Sequence, residues 1–461
     1  MRQLLTRVDS GWAPIVAALL APVGLLVLIV GLTPEPSRLS FAGDLVIYHG
    51  YGARLLQGSI PYLDYHVEYP PLALVPMTLP LLATPAGGIG EVEYVWRFTV
   101  IEGALVIVAG WLIFGATGRS RSALALWAVL VALAWPSVAL RYDLWAVLSV
   151  LVAVLVVERR PGAAGLALGI GTMLKLYPIA LLPILAAWAI ARRDGAGLAR
   201  LVVGCLVVGV LVLGVAWALA GPASLQWLVY QQERGLQIES LGAGLLLGLH
   251  LVSGQPIDVG IAYGSVQIET IGSDLLAAAS PFALVGLLGL VTVIAFRRFR
   301  SDQARLSRVP TSSVVLGSVA AIAAILVGSK VLSVQYVIWL LPFVPLLPVR
   351  LRWLSLAITA LSTAIYTIDY QALMHLEAPW ILTLVARNLL LAGLLAWLLV
   401  ELWGSGLGKR KDAGSGAAGR PATTTSSQVN ASWSVLSPWS DEPVSCVARA
   451  GWSRSRPGSP P

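Results

Sequence analysis

Long apolar runs and short polar segments alternate along this chain. A helix needs about 20 apolar residues to cross the hydrocarbon core of a bilayer, and the first run, 12–32, has that length. The pattern therefore predicts an all-α polytopic membrane protein with about twelve transmembrane helices. They are expected at 12–32, 96–116, 124–140, 144–157, two halves of 163–190, 198–220, 275–296, 313–327, 337–348, 354–368 and 379–402.

Two apolar stretches are expected to depart from simple crossings. The run 163–190, taken as one helix, would put Lys175 in mid-membrane and Arg192 on the wrong side. Pro178 disfavours helix at the residue before it, so the run is predicted to be two short helices meeting at 175–178. The run 72–85 is short and interrupted by prolines, and is predicted to be interfacial or re-entrant, packed on protein rather than lipid.

Composition supports the membrane class and charge sets the topology. Of 461 residues, 57% are hydrophobic and 12% charged, with a mean hydropathy of +0.81, which is too apolar for a soluble domain. The net charge of +8 comes from short basic clusters between apolar runs. Such clusters mark cytoplasmic loops, which argues against a nucleic-acid partner. If every cluster is cytoplasmic, the chain crosses the membrane an even number of times between successive clusters. This predicts that both termini lie in the cytoplasm.

This topology divides the chain into a membrane domain and a tail. The membrane domain is predicted at 1–403, with a first outer loop at 33–95 and a second long outer loop at 221–273. From 404 to 461 the composition changes to Gly, Ser, Thr, Pro and Arg. Such a segment cannot bury a core, so it is predicted to be a disordered cytoplasmic tail.

On the predicted topology the informative polar residues collect at the outer face. Ionisable residues at membrane depth are costly and usually mark a substrate site. The cations suit a phosphate, the rings suit a sugar or a lipid groove, and an acid suits proton transfer. The candidate substrate-binding residues are Asp64, His66, Glu68, Tyr69, Arg141, Lys175, Tyr177, Arg234, Glu239, Lys330, Gln335 and Tyr336.

Asp44 and several of these candidate residues also have a simpler interpretation. Asp44 can be a solvated loop acid or a helix N-cap, and Lys175 can extend to the interface without a ligand. Tyrosines at helix ends often form an aromatic belt. The histidines show no spacing typical of a metal site. The glycine-rich stretch 165–175 favours helix packing over a phosphate cradle, because no GK[ST] follows a strand.

Several ordered fragments together resemble one family. They are Asp44, Gly58, Pro61-Tyr62, Asp64-Tyr65, Glu68-Tyr69-Pro70-Pro71, Lys175 with Tyr177-Pro178, 234–240 (RGLQIES) and 330–342 (K-x-x-S-x-QY-x-x-W-x-x-P). This set resembles the actinobacterial polyprenol-phosphate-mannose-dependent glycosyltransferases of the GT-C superfamily. These are of the family 87 type, which includes the alpha-1,2-mannosyltransferases of phosphatidylinositol mannoside synthesis. The resemblance covers roughly 44–380.

The resemblance implies a GT-C helical bundle in the plasma membrane with its active site at the outer face. It implies Asp44 as the catalytic base of a single inverting displacement, although Asp64 and Glu68 share its loop and can exchange roles with it. The implied donor is a polyprenyl-phosphate sugar such as polyprenyl-phosphate-mannose, and the acceptor is a lipid or glycolipid. Lys175, Arg234 and Lys330, and less so Arg141, are implied as phosphate ligands. No metal or other cofactor is expected.

Two other functions compete with this one. A transporter or flippase of a lipid-linked saccharide would show inverted repeats and ionisable groups in mid-membrane. The sequence shows no such repeat, and its charges gather at one face. A structural subunit of an envelope-assembly complex would have no need for the large outer loop that carries Asp44.

Overall fold

The computed structural model describes residues 12–33, 43–82 and 88–404, and most of them are helical. The α-helices are α1 (Trp12–Leu32), α2 (Gly43–Leu56), α3 (Leu74–Thr78), α4 (Glu91–Ala116), α5 (Arg121–Leu133), α6 (Trp135–Ala139), α7 (Asp143–Val156), α8 (Pro161–Leu174), α9 (Leu182–Ala191), α10 (Gly195–Ala220), α11 (Gln226–Glu233), α12 (Leu241–Ser253), α13 (Ser273–Leu306), α14 (Thr311–Gly328), α15 (Val349–Thr367), α16 (Tyr370–Met374) and α17 (Ala378–Gly404). Two strands, β1 (Asp258–Ala262) and β2 (Ser265–Glu269), form an antiparallel hairpin. The predicted tail lies outside the described residues from 405 onwards.

Within the described residues, six helices are long and apolar enough to cross a membrane by length and composition. They are Ile15–Leu32 in α1, then Glu91–Ala116, Gly195–Glu233, Ser273–Leu306, Thr311–Gly328 and Ala378–Gly404. Seven shorter apolar helical segments accompany them, among them α5, α7 and α8. These findings support an all-α membrane protein. The count of about twelve crossings stays a prediction, because the shorter helices fall below the length of a full span.

The predicted helix break at 175–178 is confirmed. Helix α8 ends at Leu174, Lys175 is extended, and a 3₁₀ helix begins at Tyr177. The run predicted as short and interfacial contains α3 between two 3₁₀ helices, Pro71–Ala73 and Leu79–Leu81. Each proline in these segments removes a backbone donor and restricts the residue before it, which prevents one continuous α-helix.

Three predicted segments have a different structure. The expected helix 124–140 is divided into α5 and α6, with Pro136 at the start of the second. The expected α-helix 337–348 is two 3₁₀ helices, Val334–Trp339 and Leu341–Leu346, because Pro342 and Pro345 interrupt α-helical hydrogen bonding. The segment predicted as the first outer loop contains a regular helix, α2, which was not predicted because the segment is rich in polar residues.

The glycine-rich stretch 165–175 packs helix α8 against α10, as predicted. A Cβ atom at Gly165 would clash with the carbonyl oxygen of Leu201, and one at Gly169 would lie 2.8 Å from that of Cys205. From the other helix, Gly204 faces the backbone of Gly162 in the same way. Small residues on both helices therefore let two backbones approach closely.

Replacing Gly165 by Ala should destabilise the protein, because the added methyl group has to separate α8 from α10. We expect a loss of about 1–3 kcal/mol in the free energy of unfolding, typical of an overpacked interior. Gly209→Ala is the matched control, since a Cβ atom there meets nothing within 4 Å. Thermal unfolding in detergent measures both variants, and equal melting temperatures for the two would contradict the close packing.

The segment predicted as the second outer loop contains a β-hairpin that the sequence analysis did not predict. Tyr263 and Gly264 both have positive φ, which is the two-residue turn that joins twisted strands best. The hairpin supports the RGLQIES segment: the amide of Ile238 donates to the carbonyl of Val266 at 3.0 Å, and that of Ile268 donates to Leu236 at 3.1 Å. The amide of Gln237 donates to the carbonyl of Lys330, so three separate polar segments meet here.

Candidate active site

Asp44 lies in the first turn of α2 and forms an ion pair with Arg141. The distance from Oδ2 of Asp44 to Nε of Arg141 is 2.8 Å. The Asp44 side chain is 33% exposed and the Arg141 side chain 8% exposed. The carboxylate is therefore accessible from one side and held in place from the other.

Arg141 is fixed by the polar segments that surround it. Its Nε also donates to Oε1 of Gln335 at 2.6 Å, its Nη1 to the carbonyl of Leu140 at 2.8 Å, and its Nη2 to the hydroxyl of Tyr366 at 2.9 Å. Burial lowers the pKa of Arg141, but Asp44 and the nearby tyrosines more than offset this and raise it above its ordinary value. The guanidinium is a permanent cation that orients Asp44.

Three tyrosine rings form a cluster beside this ion pair. Tyr48 follows Asp44 by four residues, so both lie on the same face of α2. Its ring centroid lies 5.9 Å from that of Tyr69 and 5.4 Å from that of Tyr142, and the last two are 5.4 Å apart. The cluster joins the Asp44 helix, the EYPP motif and the segment that carries Arg141.

Lys175 lies against the same cluster. Its Nζ is 5.2 Å from the ring centroid of Tyr142 and 5.0 Å from that of Tyr336, and it forms a 2.6 Å ion pair with Oδ1 of Asp143. The side chain of Lys175 is 13% exposed. Asp44, Arg141 and Lys175, which are far apart in the sequence, therefore surround one group of aromatic rings.

Glu239 is buried and bonded to other protein groups, unlike a residue that is free to bind a ligand. It is 2% exposed; one carboxylate oxygen accepts a short hydrogen bond from the amide of Val334, and the other accepts one from the hydroxyl of Tyr370 at 2.7 Å. Burial raises the pKa of Glu239, while Arg387 and these two donors lower it in part. Both oxygens are used within the protein, which argues for a structural role.

The remaining predicted residues belong to other groups. Oδ2 of Asp64 accepts the amide of Ile60 at 2.6 Å, which closes a turn, and Tyr177 is buried, stacked on Trp339. The ring of His66 contacts that of Tyr230, and Glu68 lies near both Tyr230 and the turn of the hairpin.

Two predicted cations lie close to one another: Arg234, in the predicted second outer loop, and Lys330, in the segment after α14. Nη1 of Arg234 contacts Oε1 of Gln231 at 3.5 Å, and Nζ of Lys330 donates to the carbonyl of Gln232 at 2.8 Å. Burial, and then the neighbouring charge of Arg234, lower the pKa of Lys330. Among the described residues, the contacts of Arg234 and Lys330 include neither Lys175 nor the aromatic rings around it.

Sequence reasoning missed several residues that build this site. Trp339 donates its indole N–H to Asp143, Tyr366 holds Arg141, and Tyr370 holds Glu239. Asp143 stands two residues after Arg141, and Trp339 stands in the QY-x-x-W fragment. Both could therefore have been proposed as site residues from their neighbours in the sequence. Tyr366 and Tyr370 lie on either side of the break between α15 and α16, with ring centroids 6.4 Å apart. Nothing in the sequence shows which charges they meet.

An apolar groove of about 610 Å³ lies next to the EYPP motif. One wall is α10, through Leu211, Val215 and Leu219, and the other is the proline-rich segment, through Leu72 and Val75. All of these are aliphatic side chains. The groove is also lined by Tyr62, whose hydroxyl donates to the carbonyl of Tyr69.

The model of glycosyltransferase family 87 matches residues 66–321, which is more than half of the chain. The chain belongs to glycosyltransferase family 87. A comparison with curated proteins found no match. Of the residues predicted for this glycosyltransferase, the matched region includes Arg141, Lys175 and Glu239; Asp44 precedes it and Gln335 follows it.

Proposed function

We propose that this family 87 glycosyltransferase transfers a sugar from a polyprenyl-phosphate donor to a lipid or glycolipid acceptor at the outer face of the plasma membrane. The resemblance described above favours mannose as the sugar. The observation that carries the proposal is the accessible Asp44 carboxylate, oriented by a buried Arg141, beside a lysine and a cluster of tyrosines.

The reaction proposed is a single displacement at C1 of the sugar. The acceptor oxygen forms a bond to C1 while the bond between C1 and the phosphate oxygen breaks, and its electron pair leaves with the polyprenyl phosphate. Asp44 takes the proton of the acceptor hydroxyl. Attack from the face opposite the phosphate inverts the configuration at C1.

The environment of Asp44 suits this role. Glycosyl transfer passes through an oxocarbenium-like state. The attacking hydroxyl becomes acidic as its bond to C1 forms, so its proton can be taken late in the step. A base held in one orientation then contributes through its position more than through its basicity.

Polar groups for the rest of the donor lie nearby. The Lys175 ammonium suits the departing phosphate, and the tyrosine rings suit the faces of a sugar. In the described part of the chain no group of three or more His, Cys, Asp or Glu side chains is arranged to hold a metal ion. Metal independence stays a prediction, which EDTA in the assay will test.

The apolar groove supports a lipid-linked donor, since it offers aliphatic walls to part of an isoprenoid chain. Val215→Trp should fill it and raise KM for a long-chain donor about tenfold, equivalent to losing about two buried methylene groups. Val210→Trp is the control, because Val210 lies on the same helix, is 68% exposed and does not line the groove. A donor of two isoprene units should not distinguish the variants. If both variants raise KM equally for both donors, the groove does not hold the donor.

The test of the whole proposal is sugar transfer by purified protein in detergent. Radiolabelled polyprenyl-phosphate-mannose serves as donor, a membrane lipid extract as acceptor, and a nucleotide sugar as the comparison donor, with and without EDTA. We expect label in the lipid fraction from the polyprenyl donor, with EDTA present. Transfer from the nucleotide sugar alone would overturn the donor class, and binding of the donor without transfer to any acceptor would favour a transporter.

A further inference from the structure

Asp143 is a buried acid for which the proposed reaction has no use. It begins helix α7 directly after Arg141 and Tyr142, and its side chain is 0% exposed. Its Oδ1 accepts hydrogen bonds from both Nζ of Lys175, at 2.6 Å, and Nε1 of Trp339, at 2.7 Å. A buried carboxylate is costly unless such partners compensate its charge.

Trp339 is unable to turn away from Asp143. Its ring stacks on Tyr177, with centroids 3.9 Å apart and planes 6° apart, and on Tyr336, at 4.4 Å and 17°. An indole between two parallel rings keeps its N–H in one direction. Asp143 is therefore fixed by Trp339, and Lys175 is fixed by Asp143.

The position of Lys175 directs it toward the proposed active site. As the first residue after α8, it has an extended backbone, and the break in the helix leads its side chain out between the rings of Tyr142, Tyr336 and Trp339. Tyr142 contacts Tyr48, on the same face of α2 as Asp44. An ammonium has three N–H donors, and the bonds found among the described residues take one of them.

We propose that Asp143 is a positioning residue, which holds the Lys175 ammonium against the donor phosphate. This inference rests on the proposed function, because it assigns Lys175 to the phosphate. Asp143 has no contact with substrate; it compensates the lysine charge in an aromatic environment and fixes the direction of the remaining donors. The competing explanation is a buried ion pair that only joins α7 to α8.

Four enzymes separate these explanations: wild type, Asp143→Asn, Lys175→Gln and the double variant. For each we would measure KM for the polyprenyl-phosphate sugar, KM for the acceptor, and the dissociation constant of free polyprenyl phosphate. We expect Lys175→Gln to weaken phosphate binding about thirtyfold, the lower end of the range for truncating a buried hydrogen-bonded charge. Asp143→Asn should weaken it less, about tenfold, because the lysine keeps its charge. The double variant should be no weaker than Lys175→Gln, because Asp143 acts only through the lysine. KM for the acceptor should stay within about twofold.

Asp302→Asn is the matched control, because Asp302 is also a buried acid in an ion pair, with Arg298 at 2.9 Å on helix α13. It should lower the melting temperature without changing phosphate binding. If Asp143→Asn behaves as this control does, or if the effects in the double variant add, the proposal fails. Should Asp143→Asn not fold, Trp339→Phe keeps the stack, removes the N–H bond and should weaken phosphate binding about threefold; no change there would equally overturn it.

The direct binding measurement keeps the two proposals distinguishable. If wild type transfers no sugar, the proposed function fails on that result alone. Phosphate binding that depends on Asp143 through Lys175 would then still support the positioning role, and wild-type protein that binds no polyprenyl phosphate would refute it.

Discussion

Asn in place of Asp44 should lower kcat for sugar transfer by about 10²–10⁴-fold, the usual contribution of a positioned general base. The amide has the shape of the carboxylate but cannot accept the proton of the acceptor hydroxyl. Because the side chain is partly exposed and Arg141 keeps its bonds to Gln335, Tyr366 and Leu140, the fold should persist. Radiolabel transfer under saturating donor measures kcat, and thermal unfolding in detergent checks the fold.

The controls for this prediction are the two other acids of the same segment. Asp64→Asn weakens a turn at Ile60 and Glu68→Gln changes a group near Tyr230, so neither should lower kcat more than about tenfold. Full activity in folded Asp44→Asn enzyme would exclude Asp44 as the base. Loss of activity in Glu68→Gln alone would transfer that role to Glu68.

Arg141→Gln should damage both stability and catalysis. Removing the guanidinium leaves Asp44, Gln335 and Tyr366 without their cation. Because the Asp44 side chain is 33% exposed, we expect a smaller loss in the free energy of unfolding than the about 3–5 kcal/mol typical of a fully buried pair. Asp44 would also lose its orientation, and a displacement of about 1 Å can cost about 10²-fold in rate. We therefore expect a lower melting temperature and kcat reduced by at least about that factor.

Arg141→Lys separates charge from geometry. Lysine restores the positive charge but not the planar set of donors, so it should recover stability more than activity. The double variant Asp44→Asn with Arg141→Gln should be more stable than Arg141→Gln alone, because no unpaired carboxylate remains. Wild-type stability and activity in Arg141→Gln would show that the ion pair has no part in either.

The sequence analysis predicted correctly those structural features that are determined by residues close together along the chain. Hydropathy located α1 at its observed bounds, and Pro178 with Lys175 located the break after α8, because both signals act within a few residues. The 3₁₀ helices at 334–346 were not predicted. The apolar run 337–348 shows no periodicity that separates an α-helix from a 3₁₀ helix, and only its prolines indicate the difference.

The site could be predicted only as a set of residue types. The bonds of Arg141 to Gln335 and Tyr366 join residues 194 and 225 positions apart, and nothing local in one sequence encodes such pairs. The residue types therefore predicted Arg141 as a phosphate ligand but did not predict its ion pair with Asp44. Glu239 looked like a substrate contact for the same reason, and it is instead tied to Val334 and Tyr370.

Helices α7 and α8, which adjoin Asp143 and Lys175, have 14 residues each and therefore measure about 21 Å, at about 1.5 Å per residue. The hydrocarbon layer is about 30 Å thick, so the polar ends of these helices lie below the level of the surrounding headgroups if their cytoplasmic ends are level with the opposite surface. Because most residues of both helices are buried within the protein, their short length produces a depression in the protein's own surface. If the site faces the outer leaflet, as we propose, the lipid-linked donor and the lipid acceptor would bring their polar parts together in that depression while their tails stay in lipid.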